Sequence, residues 1–188
     1  MTRWMWSKRP NRRQGIGVIS NTFLHYKKPL LLIIAGLIVL IFLMPIRVLI
    51  ASDCKTGQYL KSWPIKVGKD FHVEYTHSVE LTPVIEIYGI YNRETILLKE
   101  TYFYSYGAGL PATSAHDFEI SQEGLRIYNI DQHMEDIVYR TGAVRAHHKI
   151  NINGRTYPFL DFSKPRTGVR FSLGDLSLLS YMAREVLQ

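Results

Sequence analysis

"FHVEYTHSVELTPVIEIYGIYN", residues 71–92, decides the fold class. Phe71, Val73, Tyr75, His77 and Val79 alternate with His72, Glu74, Thr76 and Ser78, a period of two that belongs to a half-buried strand. Thr82-Pro83 interrupts the run, and strand character resumes at Val84 in "VIEIYGIYN". Two runs rich in aromatic and β-branched residues, joined by a short polar segment, predict an antiparallel pair.

The same pattern continues downstream. After a turn at Asn92–Glu94, "TILLKETYFYSYG" (95–107) places Ile96, Leu98, Glu100, Tyr102, Tyr104 and Tyr106 on one side. Glu100 is therefore expected to share a face with apolar and aromatic residues, and to need a partner wherever it is buried. "HDFEIS" (116–121), "GLRIYNI" (124–130), "DIVYRTGAVRAH" (136–147), "HKININGRTYPFL" (148–160) and "GVRFSL" (168–173) add further short strands. Within the fourth of these, Asn153-Gly154 is a hairpin signal, because a type I′ turn needs positive φ at both central residues. The expectation is a mainly β domain, an antiparallel β-sandwich or partly open barrel. "GDLSLLSYMAREVLQ" (174–188) changes period: Asp175 is a plausible N-cap, and Leu176, Leu179, Ala183 and Val186 fall on one face of a short C-terminal helix.

Upstream the pattern is apolar at every angle. From Pro29 to Ile46 no residue is charged, 18 positions that would span about 27 Å as a helix. An all-round apolar helix of this length belongs in lipid, and "VLIA" beyond Arg47 extends it, with Arg47 snorkelling at the membrane edge. Residues 1–28 hold seven cations and no acid, which accounts for the whole formal charge of +7. The rest of the chain is balanced, so the basic excess points to a cytoplasmic membrane flank and not to nucleic acid. The organisation that follows is a basic cytoplasmic tail (1–28), a transmembrane helix (29–51), a tether (52–64) and an extracytoplasmic β domain (65–188). The lipid bilayer is the partner it implies. The long basic region, the long apolar stretch and the lack of a small-x-small site favour an uncleaved anchor over a signal peptide. Cys54 is the sole cysteine, so no internal disulfide forms, and Asp53 before it argues against lipidation.

The residues that could carry chemistry gather in two stretches. His77, Ser78, Glu80 and Glu86 surround the first turn, and Gly107, Gly109 and Pro111 lie in "YSYGAGLPATSAHDFE" (104–119). Adjacent strand residues point to opposite faces, so Ser78 and His77 cannot form a nucleophile–base pair side by side. The glycine loop permits unusual backbone conformations but opens no helix, so no nucleotide cofactor is expected. The donors His77, Glu80, Glu86, Glu100, His116, Asp117 and Glu119 show no local metal-ligand spacing, and His147-His148 splits across two faces. Three readings remain open: a binding edge, a hydrogen-bonded structural corner, or an acid/base or metal-dependent hydrolase built on His77 with Glu80, Glu86 or Glu100. The expected partner of His77 is Glu86 or the glycine loop.

"YTHSVELTPVIEIY", "TYFYSYGAGLP" and the closing "ININGRTYPF…GVRF" strands resemble the domain of unknown function 1850 family, over roughly residues 58–173. The matching positions are Tyr75, His77, Ser78, Val79, Glu80, Thr82, Pro83, Glu86 and Gly107 to Pro111; the basic N-terminus and the C-terminal tail lie outside the family pattern. The family has no established activity. The resemblance implies an accessory role in solute uptake, because members are similar in being encoded beside, or fused to, tripartite ATP-independent periplasmic (TRAP) transporters with a TAXI-type solute receptor. The implied partners are the transporter permease or that receptor, with no cofactor.

Overall fold

The computed structural model describes residues 19–104, 115–122, 124–142 and 146–186, with side chains from residue 28 onward. The chain divides between Phe42 and Leu43 into two units. The first contains helix α1 (Ile19–Leu43), on which the large apolar side chains from Leu30 to Leu43 are exposed on most positions. Among the described residues no helix is long and apolar enough to cross a membrane.

The helix stops where Pro45 begins strand β1 (Pro45–Asp53). Proline has no N–H to donate and pushes the residue before it away from helical geometry. The expected extension of the span to residue 51 is thus corrected, and so is the tether over 52–64, which contains β2 (Tyr59–Pro64). Val48, Leu49 and Ala51 are fully buried, in a strand paired on both edges and covered on both faces. Such a strand reads as a continuous apolar run, which is why it passes for more membrane helix. Arg47 lies in β1 and not in a helix. Its Nε lies 3.2 Å from Asp175, and its guanidinium donates to the Arg93 carbonyl at 2.6 Å.

The remaining strands are β3 (Asp70–Thr76), β4 (Pro83–Ile90), β5 (Ile96–Phe103), β6 (Asp117–Ser121), β7 (Gly124–Tyr128), β8 (Gln132–Met134), β9 (Asp136–Arg140), β10 (Lys149–Ile152), β11 (Arg155–Pro158) and β12 (Gly168–Ser177). All of the pairings are antiparallel. One sheet runs β2-β1-β12-β9; the other runs β11-β10-β3-β4-β5-β7-β6, with β8 also against β5. Leu49, Trp63, Ile137, Val169 and Phe171 of the first share one core with Phe71, Val73, Tyr88, Ile96 and Ile150 of the second. This is the sandwich arm of the sequence expectation. Each Phe or Leu so buried stabilises the fold by about 1.5–3 kcal/mol relative to exposure.

The Asn153-Gly154 turn forms as expected, with φ of 53° and 75° between paired Ile152 and Arg155. Asn153 also donates to the Pro64 carbonyl at 2.7 Å, tying that hairpin to the other sheet. The C-terminal helix is present as α2 (Leu178–Val186), but its cap differs from the expected one. Asp175 stays in β12, bridging Arg47 and Arg93, and Ser177 Oγ accepts the Ser180 N–H at 3.1 Å. Leu179 and Val186 of the expected apolar face are exposed, while Arg184 lies 4.2 Å over the Tyr59 ring and Glu185 pairs with Lys61.

Candidate functional site

β3 and β4 form the hairpin that the opening stretch predicts, with Thr76 opposite Pro83 and residues 77–82 as its loop. The loop closes on itself. The His77 N–H donates to the Thr82 carbonyl at 2.8 Å, the Leu81 N–H donates to the His77 carbonyl at 3.0 Å, and the Glu80 N–H donates to His77 Nδ1 at 3.2 Å. His77 therefore finds hydrogen-bond partners inside its own loop in place of the expected Glu86, while the glycine loop, the other expected partner, lies outside the described residues. Ser78 is exposed, as are Val79 and Leu81. Leu81 takes a left-handed φ of 56°, an uncommon state for a bulky residue and one that clusters at functional loops.

Glu86 is placed differently. β4 alternates Val84, Glu86, Tyr88 and Ile90 toward the core, so a carboxylate lies on the inner face, opposite Val73 and Thr101. Tyr88, from the same strand, donates to Glu86 Oε2 at 3.1 Å. Tyr139, from β9 of the other sheet, donates to the same oxygen, and the two phenols are 2.6 Å apart. Charge-assisted bonds of this kind hold the carboxylate where solvent cannot fully surround it.

Around this centre the rings converge. Tyr75 lies 6.0 Å from Tyr139 and stacks on His148 at 5.3 Å, 17° from parallel. His148 packs on Phe159 at 5.4 Å, and its Nδ1 accepts the Gly142 N–H at 3.4 Å. The segment carrying it is pinned by Ala146, whose carbonyl accepts the Thr76 N–H, and by the buried Thr141–Ser163 hydroxyl pair. Tyr75, Glu86, Tyr139 and His148 are each half-buried, and so open to solvent at the end of the sandwich where the 77–82 loop forms the rim.

The electrostatics follow from this placement. Burial first, then the Glu86 charge, pushes the Tyr75 phenol up to about 12. Tyr88 and Tyr139 are raised further, by burial and by the neighbouring carboxylate and phenol. Burial alone lowers His148, which keeps its imidazole neutral near pH 7. The cluster thus has phenols that stay protonated, a neutral imidazole and one carboxylate.

Glu100 does not join it. Ile87 pairs with Glu100 but Tyr88 pairs with Leu98, so Lys99 is an extra residue in β5. This bulge reverses the alternation, turning Thr101 inward and Glu100 outward, against the expectation that Glu100 shares a face with Leu98. On the outer face Glu100 accepts from Tyr102 and Arg126, both at 2.9 Å. No group of three or more His, Cys, Asp or Glu close enough to hold a metal occurs among the described residues. Gly107, Gly109 and Pro111 lie outside the described residues. Phe103 pairs with Val84, so the chain leaves β5 at the end of the sheet that carries the 77–82 loop. Sequence reasoning missed Tyr139 and weighed His148 only as a metal donor: the one signal for Tyr139 was the aromatic alternation of "DIVYR", which says nothing of a partner in another sheet.

No curated protein and no solved structure matches this chain. Residues 71–159, from β3 through the turn after β11, match the family model described as Domain of unknown function (DUF1850).

Proposed function

We propose that this chain is a membrane-anchored, extracytoplasmic binding or accessory protein that works with a solute uptake transporter. The observation that carries the binding role is the half-buried Glu86 at the open end of the sandwich, ringed by Tyr75, Tyr139 and His148. A few polar groups in an aromatic-lined recess, rimmed by loops on a rigid scaffold, are what small-molecule recognition requires. Anchoring is supported by the uncharged, exposed apolar side chains of α1 from Leu30 onward, preceded by seven cations without an acid. The transporter association rests on the family resemblance, and its partners would be the permease or a TAXI-type receptor. The hydrolase reading, His77 with Glu80, Glu86 or Glu100, has less support: the bond between Glu80 and His77 comes from the Glu80 backbone N–H, and Glu86 and Glu100 take their bonds from tyrosines and Arg126.

Two experiments test the proposal. Membranes from cells expressing the full chain should retain it through alkaline carbonate washing, and a membrane-impermeant maleimide should label Cys54, the sole thiol, in intact cells. Labelling that requires lysis contradicts the orientation. Transporter components should co-purify with the full chain and be lost from a folded His77→Ala or Leu81→Ser variant, whereas undiminished co-purification removes the 77–82 loop from the interface.

A further inference from the structure

We propose that the open end of the sandwich binds a small organic cation, with the Glu86 carboxylate as its counter-ion and the rings of Tyr75 and Tyr139 as its walls. The inference rests on the binding role proposed above and names its ligand class.

The first ground is a carboxylate to which no Lys or Arg is paired among the described residues. The protein bonds to Glu86 come from two neutral phenols, and both reach the same oxygen, Oε2. Among the described residues, the Lys and Arg ion pairs end on other carboxylates, including Glu74, Glu100, Asp136 and Asp175. His148, which stacks on Tyr75, is held neutral by burial. A carboxylate that is half removed from water, with no cation paired to it among the described residues, is an unfavourable arrangement that a cationic ligand reverses. Its second oxygen, Oε1, accepts no hydrogen bond from a described residue, which leaves an acceptor for an N–H of the ligand.

The second ground is the surround, which selects the kind of cation. A hard divalent ion takes six or more oxygen ligands, several of them carboxylates, and this cluster has a single carboxylate among phenols and rings. Aromatic faces attract ammonium and guanidinium groups through the ring quadrupole. Tyr75 and Tyr139, one from each sheet, pack on each other beside the carboxylate, with centroids 6.0 Å apart at 56°. A primary ammonium or a guanidinium uses both features, donating to Oε1 while resting on a ring. A quaternary ammonium uses the rings alone and should bind more weakly.

The test uses the purified full-length chain in detergent and three probes of matched size: n-butylammonium, n-butyramide and n-butyrate. Calorimetric titration should show saturable binding of n-butylammonium and none of the neutral or anionic probe. Glu86→Gln keeps the shape and removes the charge, so it should weaken n-butylammonium by at least about tenfold, or 1.4 kcal/mol. Glu100→Gln should leave it unchanged. Where Glu86→Gln does not fold, Tyr75→Leu serves, and n-butylammonium should then lose affinity as well as the tyrosine absorbance change it causes in the wild-type chain. Binding of n-butyrate as tight as that of n-butylammonium, no saturable binding of any probe, or full affinity in a folded Glu86→Gln variant overturns the assignment. Cation binding without co-purifying transporter components would keep the ligand class and remove the accessory role. The converse result would do the opposite.

Discussion

Two carboxylates in one sheet begin from the same local sequence and end in opposite circumstances. Glu86-Ile87-Tyr88 in β4 and Glu100-Thr101-Tyr102 in β5 are both Glu-x-Tyr, and in both the tyrosine two residues on donates to Oε2, at 3.1 and 2.9 Å. The bulge at Lys99 turns the second outward, where Arg126 neutralises it. The first faces inward, where its other partner is the phenol of Tyr139 from the opposite sheet. The difference teaches that one inserted residue in a strand decides whether a glutamate becomes a surface ion pair or the centre of a cleft.

The most forceful way to break the comparison is to put a second carboxylate on the inner face, at the buried Thr101, which pairs with Glu86. Thr101→Glu should leave a buried carboxylate unpaired, worth roughly 3–5 kcal/mol of destabilisation. Urea unfolding should show a large fall in midpoint or no cooperative transition. A wild-type midpoint would mean that the inner face tolerates a second carboxylate as the outer face tolerates Glu100. Next in size is Tyr139→Phe, which removes the inter-sheet donor to Glu86 and should cost about 1–3 kcal/mol, whereas Tyr102→Phe on the outer face should stay within about 0.5 kcal/mol. Equal effects of the two would erase the distinction between the faces.

Titration sharpens the comparison on a finer scale. The Tyr75 phenol, pushed up to about 12 by burial and by Glu86, should ionise earlier in Glu86→Gln and unchanged in Glu100→Gln, read from tyrosinate absorbance. Because the unfolded phenol ionises near 10, stability should fall as pH rises from about 10 towards 12, and Tyr75→Phe should flatten that loss. The smallest effect is on the acid side. His148 is lowered in the folded chain, so below about pH 6.5 the unfolded chain takes up a proton that the folded one resists, and stability declines with falling pH. His148→Gln should reduce that slope, measured by denaturation at pH 7 and pH 5.5.

Much of the fold was legible because its strands are half-buried: the period of two in 71–76 and the Asn153-Gly154 turn carry their own geometry, although β3 ends at Thr76 and not at Val79. β1 was not, since burial on both faces erases alternation and leaves an apolar run continuous with α1. The helix cap was displaced from Asp175 to Ser177 because a long-range ion pair to Arg47 and Arg93 extends β12. At the site, Glu86 and Tyr75 were within reach of a local reading, whereas the strand alternation used to separate His77 from Ser78 does not reach them, because β3 ends at Thr76 and both lie in the loop. The role of Tyr139 and His148 depends on how two sheets stack, and the outward turn of Glu100 depends on a bulge that no periodicity marks.

The account's central claim is that the carboxylate that meets a ligand is Glu86 and not Glu100. It is tested most directly by titrating n-butylammonium into the wild-type chain, Glu86→Gln and Glu100→Gln while following tyrosine absorbance. The account predicts a saturable change in the wild type and in Glu100→Gln, and none in Glu86→Gln. A change that survives in folded Glu86→Gln, or that disappears in Glu100→Gln, would contradict it.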